Sequence, residues 1–240
     1  MNVVLLRVGI DSGSGGIQSP LFEDGTFDFI PIPDGLAAKV NGAPTYGNTL
    51  GRYGRLLIDY FPLAKRAKMF DQPMHVDPEF ETFTYGDPTP PKRGLSRLRS
   101  GDLLVFYAGL EGWGHKAEPA LYIVGYFEIS HVGFAPQFSD AEIAKLFSAN
   151  AHVRNPGAFG EQRNRLLLVR GGASSRLLRQ AVRISASGKN SLGQPLKILS
   201  PAMQQVFGDF DGKVSIQRSP PRWVLPGFVE RASSFVRSLT

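Results

Sequence analysis

Four short apolar runs constrain this chain most: Val3–Val8, Leu103–Tyr107, Ala120–Ile129 and Leu166–Val169. Runs of this length bounded by turn residues read as buried strands, being too short for buried helices that cross a domain. Val3–Val8, broken only by Arg7, runs into Gly9-Ile10-Asp11-Ser12-Gly13-Ser14-Gly15-Gly16. Ser100-Gly101-Asp102 is a turn before Leu103, and Gly171-Gly172 ends the run after Leu166. Asp24-Gly25 lies between Leu21-Phe22 and the alternating Phe27–Ile32, which predicts a hairpin. The 27 Gly and 18 Pro are spread along all 240 residues, so turns are frequent and a helical bundle is excluded.

Helical signals are fewer. Ser139-Asp140-Ala141-Glu142 is a capping box, and Ile143, Leu146 and Phe147 follow at helical spacing, which predicts a helix over 140–148. Ser200-Pro201 to Phe207 with Gly208 after it predicts a second, and Phe228–Leu239 a third. Ser174 or Ser175 is positioned to cap another through Ala181, and a short helix is expected around Leu56–Phe61. Asn41–Gly54, with several glycines and a proline, reads as a surface excursion. These elements predict an α+β fold in one elaborated domain, with residues 1–93 forming an N-terminal region integrated with a core at about 94–240.

The chain has no cysteine, which removes disulfides, thiolate metal sites and cysteine nucleophiles and suits a reducing compartment. No run approaches a membrane span or a signal h-region, so a cytoplasmic protein without membrane partners is expected. Charge is unevenly placed: there are 13 Lys/Arg against 17 Asp/Glu up to Ala149 and 14 against 4 after it. Eleven of those later 14 are arginine, including Arg154, Arg163, Arg165, Arg170, Arg176, Arg179 and Arg218. Arginine forks onto phosphate, so Arg154 to Arg179 are candidate phosphate contacts to nucleic acid or nucleotide. A solvated surface that maintains solubility is the alternative.

His75-Val-Asp77-Pro-Glu79-Phe-Glu81-Thr-Phe83-Thr-Tyr85-Gly-Asp87 is the densest titratable segment. If extended, period-two geometry puts His75, Asp77, Glu79, Glu81, Phe83, Tyr85 and Asp87 on one side, although Pro78 interrupts a regular strand. Such a set could supply a general acid and base or bind a divalent metal. Asp11 at the end of the first strand joins these as a catalytic candidate, with Ser12 beside it as a binding candidate. The glycine loop matches neither the dinucleotide fingerprint nor the P-loop, and no nicotinamide, flavin or pyridoxal signature occurs. No two histidines have metal-ligand spacing, so a histidine metal site would have to be assembled from distant segments. Asn150-Ala-His152-Val-Arg154 groups base-reading side chains, and Trp113, Tyr85 and Tyr107 are candidate stacking platforms, with Asp102 a further base-edge candidate. Core packing and loop capping are the alternatives for each.

Leu98-Arg-Ser-Gly101-Asp102-Leu-Leu-Val-Phe-Tyr107, followed by Ile123-Val-Gly-Tyr-Phe-Glu128, resembles the strand pair of PUA-like β-barrels of the EVE and ASCH type. A longer combination joins Leu6-Arg7-Val8-Gly9-Ile10-Asp11-Ser12-Gly13-Ser14-Gly15-Gly16, Phe29-Ile-Pro-Ile-Pro33-Asp34, His75–Asp87 and Gly101–Tyr107. It resembles the third class of nucleotide modification associated domains, found in phages and prokaryotes near genes for DNA-base hypermodification. That resemblance implies a role in making or handling modified bases, and a PUA-like mixed barrel with short peripheral helices would supply a pocket for a modified or flipped base. Three functions stay open: a nucleic-acid-associated module binding such a base, an enzyme of base or nucleotide hypermodification using the Asp/His/Glu cluster, and a nonenzymatic protein-interaction module.

Overall fold

The computed structural model describes residues 1–35, 42–217 and 220–240; Asn41 and Arg218 therefore lie outside the described residues. Its elements in chain order begin with β1 (Val3–Arg7), β2 (Ser19–Leu21), β3 (Ile32–Pro33), α1 (Leu63–Met69), β4 (Met74–His75) and β5 (Thr84–Asp87). The long strands β6 (Leu103–Gly112) and β7 (Ala120–Phe134) follow, then α2 (Asp140–Phe147), α3 (Ala151–Arg154) and α4 (Pro156–Gln162). The chain continues through β8 (Leu167–Gly171), β9 (Arg176–Arg183), β10 (Ser185–Lys189) and β11 (Pro195–Leu199) to α5 (Pro201–Phe207), β12 (Arg222–Trp223) and α6 (Val229–Ser238).

The fold is α+β. A mixed eight-stranded sheet has the order β12-β1-β6-β7-β8-β5, with β2 added to β6 and β9 added to β7. β1 pairs in parallel with β6, Val3 opposite Leu103 and Arg7 opposite Tyr107. Val3, Val4, Leu5 and Leu6 are wholly buried, as expected of an apolar run covered on both faces. The predicted PUA-like closed barrel is not formed: the sheet path ends at β12 and β5, which do not pair. The reason lies in β7. Tyr122–Tyr126 pair with β9 and Ile129–Phe134 pair with β8, with register shifts in both ladders, so the sheet branches instead of curling onto itself.

The aromatic rings of Phe80, Phe106 and Phe127 pack edge-to-face at 4.7–5.6 Å inside the main core. A second apolar cluster around Tyr46, Tyr60 and Phe61 supports the N-terminal loops, and a third lies beneath α2 around Ile143, Phe147 and Leu168. The capping box is present: Ser139 Oγ accepts from Glu142 N, and Glu142 Oε2 accepts from Ser139 N. α5 lies where its Ser200 cap predicts, and α6 falls within the predicted span 228–239 without a side-chain cap.

Two further expectations are corrected. The segment read as a helix through Ala181 is the strand β9, because Arg176–Arg183 pair with β7, and Ser175 Oγ accepts from Glu128 N in the sheet instead of capping a helix. Around Asp24-Gly25 the turn exists, with Phe22 N donating to Thr26 O, but the hairpin shrinks to one bridge between Leu21 and Phe27. β2 pairs with β6 instead. No helix among the described residues is long and apolar enough to cross a membrane.

Candidate functional site

The segment 75–87 is not one extended strand. After β4 the chain turns at a cis Asp77-Pro78 peptide, Glu79 and Thr84 exchange backbone hydrogen bonds of 2.8 and 3.0 Å, and β5 then returns alongside β8. The one-face arrangement fails for that reason. Glu79 is drawn into its own loop, where its carboxylate accepts from the backbone N–H groups of Glu81 and Thr82 and from the Thr82 hydroxyl.

The fold-back places His75 and Asp77 at a cavity of about 640 Å³. β1 and the loop after it contribute Arg7, Gly9, Asp11 and Ser14; β3 and its continuation contribute Asp34; β5 contributes Tyr85, Gly86 and Asp87; the following 3-10 turn contributes Lys92; and α3 contributes His152. A second cavity of about 440 Å³ shares Arg7, Asp11 and Gln217 with the first and is also lined by Ser12.

At the centre, His75 Nε2 and His152 Nε2 lie 3.8 and 3.7 Å from Asp77 Oδ2. The two imidazole rings meet edge-on with centroids 4.6 Å apart. Asp77 Oδ2 accepts from Gly86 N at 2.8 Å, whereas Asp77 Oδ1 is buried without a hydrogen-bond partner. His152 Nδ1 meets Gln162 Oε1 at 2.7 Å, and His75 Nδ1 faces Asp34 Oδ2 at 3.9 Å. Asn150 caps α3 by accepting from His152 N at 3.1 Å, which fixes the helix that carries the second histidine. One ligand atom from each of His75, Asp77 and His152 can be chosen so that all lie within 4.8 Å, which makes them the candidate metal ligands.

Burial pushes the Asp77 carboxyl above the usual carboxylate range, against the pull of His75 and the Gly86 N–H. His75 moves the opposite way: burial disfavours its charge, but Asp34, Asp77 and Asp87 outweigh burial and hold its pKa above the ordinary value. His152 is lowered to about 4 by burial and by the charge of His75, so it is neutral at pH 7. Burial also lowers the Lys92 ammonium, with Asp87 opposing.

The remaining candidates separate. Asp11 lies on the wall, paired with Arg7 at 3.0 Å, and its Oδ1 accepts from Gly13 N and Ser14 N, so the glycine loop's amides are turned onto Asp11. Asp87 is on the wall, accepting from the Tyr85 hydroxyl at 3.0 Å. Tyr85 itself is buried in the sheet. Tyr107 is wholly buried and donates to Ile216 O at 2.9 Å. Trp113 packs edge-on against Tyr60 at 5.0 Å. Asp102 ties down the chain start through Asn2 and Arg99. None of Tyr107, Trp113 and Asp102 lines the cavity.

The candidate phosphate arginines do not line it either. Arg163 pairs with Asp140, Arg170 donates to Leu146 O, and Arg176 lies over the Tyr126 ring. Arg154, Arg165 and Arg179 are exposed. The cations that do face the cavity, Arg7 and Lys92, escaped the sequence reading, as did Asp34 and Gln162. Arg7 carried one local sign, a charge at the end of an otherwise apolar strand, and Asp34 ends one of the segments quoted for the family resemblance; Lys92 and Gln162 carried none.

No curated protein and no solved structure matches this chain significantly. The model of one family, nucleotide modification associated domain 3, matches residues 2–238. With nearly the whole length matched and the quoted segments all inside that span, the chain belongs to the nucleotide modification associated domain 3 family.

Proposed function

We propose that this protein is an enzyme of nucleotide or base modification, acting on a nucleotide or a base swung out of nucleic acid and held in the 640 Å³ cavity. The observation that carries this reading is the convergence of His75, Asp77 and His152, from two segments far apart in sequence, on the wall of that cavity. Its volume falls within the roughly 300–1,000 Å³ common for small-molecule sites. Buried carboxylate and imidazole groups with displaced pKa values mark reactive sites more often than inert walls. Arg7 and Lys92 bring cationic groups to the same wall, suited to a phosphate-bearing ligand. A reader that grips a base by stacking is less well supported, since Tyr107 lies in the packed core and Trp113 packs against the second apolar cluster, away from the cavity.

The test is mass spectrometry of nucleotides and of single- and double-stranded oligonucleotides incubated with the protein, beside Asp77→Asn and His152→Ala variants checked for folding by circular dichroism. The expected result is a mass change in a base or nucleotide that falls by about 100-fold or more in both variants. Selective binding with no mass change for any substrate would replace the enzyme by a binding module.

A further inference from the structure

We propose that His75, Asp77 and His152 hold one divalent first-row transition-metal ion, with its remaining coordination positions open to the cavity. The proposal deepens the enzymatic reading of the same site, yet metal binding can be measured without any nucleotide.

Three features of the centre point to an ion. The first is spacing. Separations of 3.7 and 3.8 Å between the Asp77 Oδ2 atom and the two Nε2 atoms are too long for hydrogen bonds or a tight ion pair. They fit groups held around a common centre, because two ligands each about 2.1 Å from an ion stand up to about 4.2 Å apart. The outer limit of 4.8 Å for the set requires the side chains to close in by about half an ångström.

The second feature is the orientation of the imidazoles. Gln162 Oε1 can only accept, so His152 Nδ1 carries the proton and its Nε2 lone pair is directed at the centre. His75 is arranged in the same sense, with Nδ1 towards the Asp34 carboxylate and Nε2 towards Asp77. A carboxylate or amide oxygen behind the outer ring nitrogen is the support that metal-bound histidines commonly have.

The third is Asp77 itself. Its side chain is only 2% exposed, and its neutralising surroundings amount to the Gly86 N–H on Oδ2, the pull of the Asn150 carboxamide and the imidazoles themselves. A carboxylate buried this deeply is costly to hold as an anion, and a cation at the centre, where Oδ2 faces both Nε2 atoms, would offset that cost. Two imidazoles with one carboxylate favour zinc, iron, cobalt or manganese over magnesium and calcium, which prefer all-oxygen sites. Three protein ligands leave positions free for water or substrate, as in catalytic and unlike closed structural sites.

The experiment strips the full chain with chelator and titrates it with Co²⁺, following visible absorption, then displaces Co²⁺ with Zn²⁺ and counts bound metal by elemental analysis. The expected result is one ion per chain, with affinity falling about 100-fold or more in Asp77→Asn and His152→Ala and about 10- to 100-fold in Gln162→Leu. Glu79→Gln, outside the centre, should bind like wild type. Asp77→Asn keeps an acceptor for the Gly86 N–H, and circular dichroism confirms that each variant is folded. Absence of stoichiometric binding by the folded wild-type chain, or equal affinity in the Asp77 and His152 variants, overturns the proposal. Turnover by a chain that takes up no metal in the titration would overturn it while sparing the proposed enzyme. Metal bound as expected beside a mass-spectrometry result without turnover would uphold it and remove the enzyme instead.

Discussion

Gly86 is the point at which the site and the fold depend on the same small gap. A β-carbon built at position 86 lies 2.9 Å from Asn150 Oδ1, 3.0 Å from His152 Cδ2 and 3.2 Å from Asn150 Nδ2. Contacts this short require Asn150 and His152 to withdraw by a few tenths of an ångström. Asn150 has little freedom to do so, because its Oδ1 caps α3 through His152 N and both residues are buried. Overpacking of a buried site costs about 1–3 kcal/mol, and loosening an N-cap about 0.5–2 kcal/mol. A combined loss of about 2 kcal/mol lowers Tm by about 4–8 °C for a chain of this size. Scanning calorimetry of Gly86→Ala checks this value. Gly160→Ala is the control: no atom lies within 4 Å of its added carbon, and the position is inside α4, so that variant should gain about 0.5–1 kcal/mol. The double variant Gly86→Ala/Asn150→Ala should be less destabilised than the sum of its singles by about 1 kcal/mol, since the clashing carboxamide is gone. A Gly86→Ala protein melting within 1 °C of wild type, or strict additivity in the double variant, would refute the close packing of β5 on α3 from which this figure is worked.

Two further outcomes follow from buried groups and caps. Burial holds the Tyr107 phenol neutral up to about 12 against an ordinary 10.0, so its contribution, about 3 kcal/mol, is complete below pH 10 and is lost as pH rises from 10 through 12. Urea denaturation across that range should show stability falling with pH; Tyr107→Phe should reduce the fall, while losing about 1 kcal/mol at neutral pH with the bond to Ile216 O. Ser139→Ala removes the side-chain half of the capping box on α2 and should cost about 1 kcal/mol, visible first as faster amide hydrogen exchange at Glu142 and Ile143.

The sequence by itself determined the elements whose stabilising contacts are local or follow from uniform burial. The apolar runs at Val3, Leu103, Ala120 and Leu166 became strands because each is covered on both sides, a condition written in their composition. The helices after Ser139 and Ser200 lie where their caps predict because a cap is satisfied within three residues. Tertiary structure decided everything that depends on a distant partner. Arg176–Arg183 became a strand because β7 offered an unpaired edge, and two register shifts in that same strand kept the sheet open. The candidate site was half legible: His75, Asp77, Asp87, Asp11 and His152 could be singled out by residue type, but the grouping of His75 with Asp77, Glu79 and Asp87 along one strand face was not how the chain assembled them. Asp77 and His152 meet only because the chain doubles back after Asp77 and Asn150 anchors α3 against Gly86. Arg7 and Asp34 stand in segments quoted for the family resemblance but with no role assigned, Lys92 and Gln162 carry no motif, and the place of all four at the site follows from strand pairing and helix packing between segments that do not adjoin in sequence.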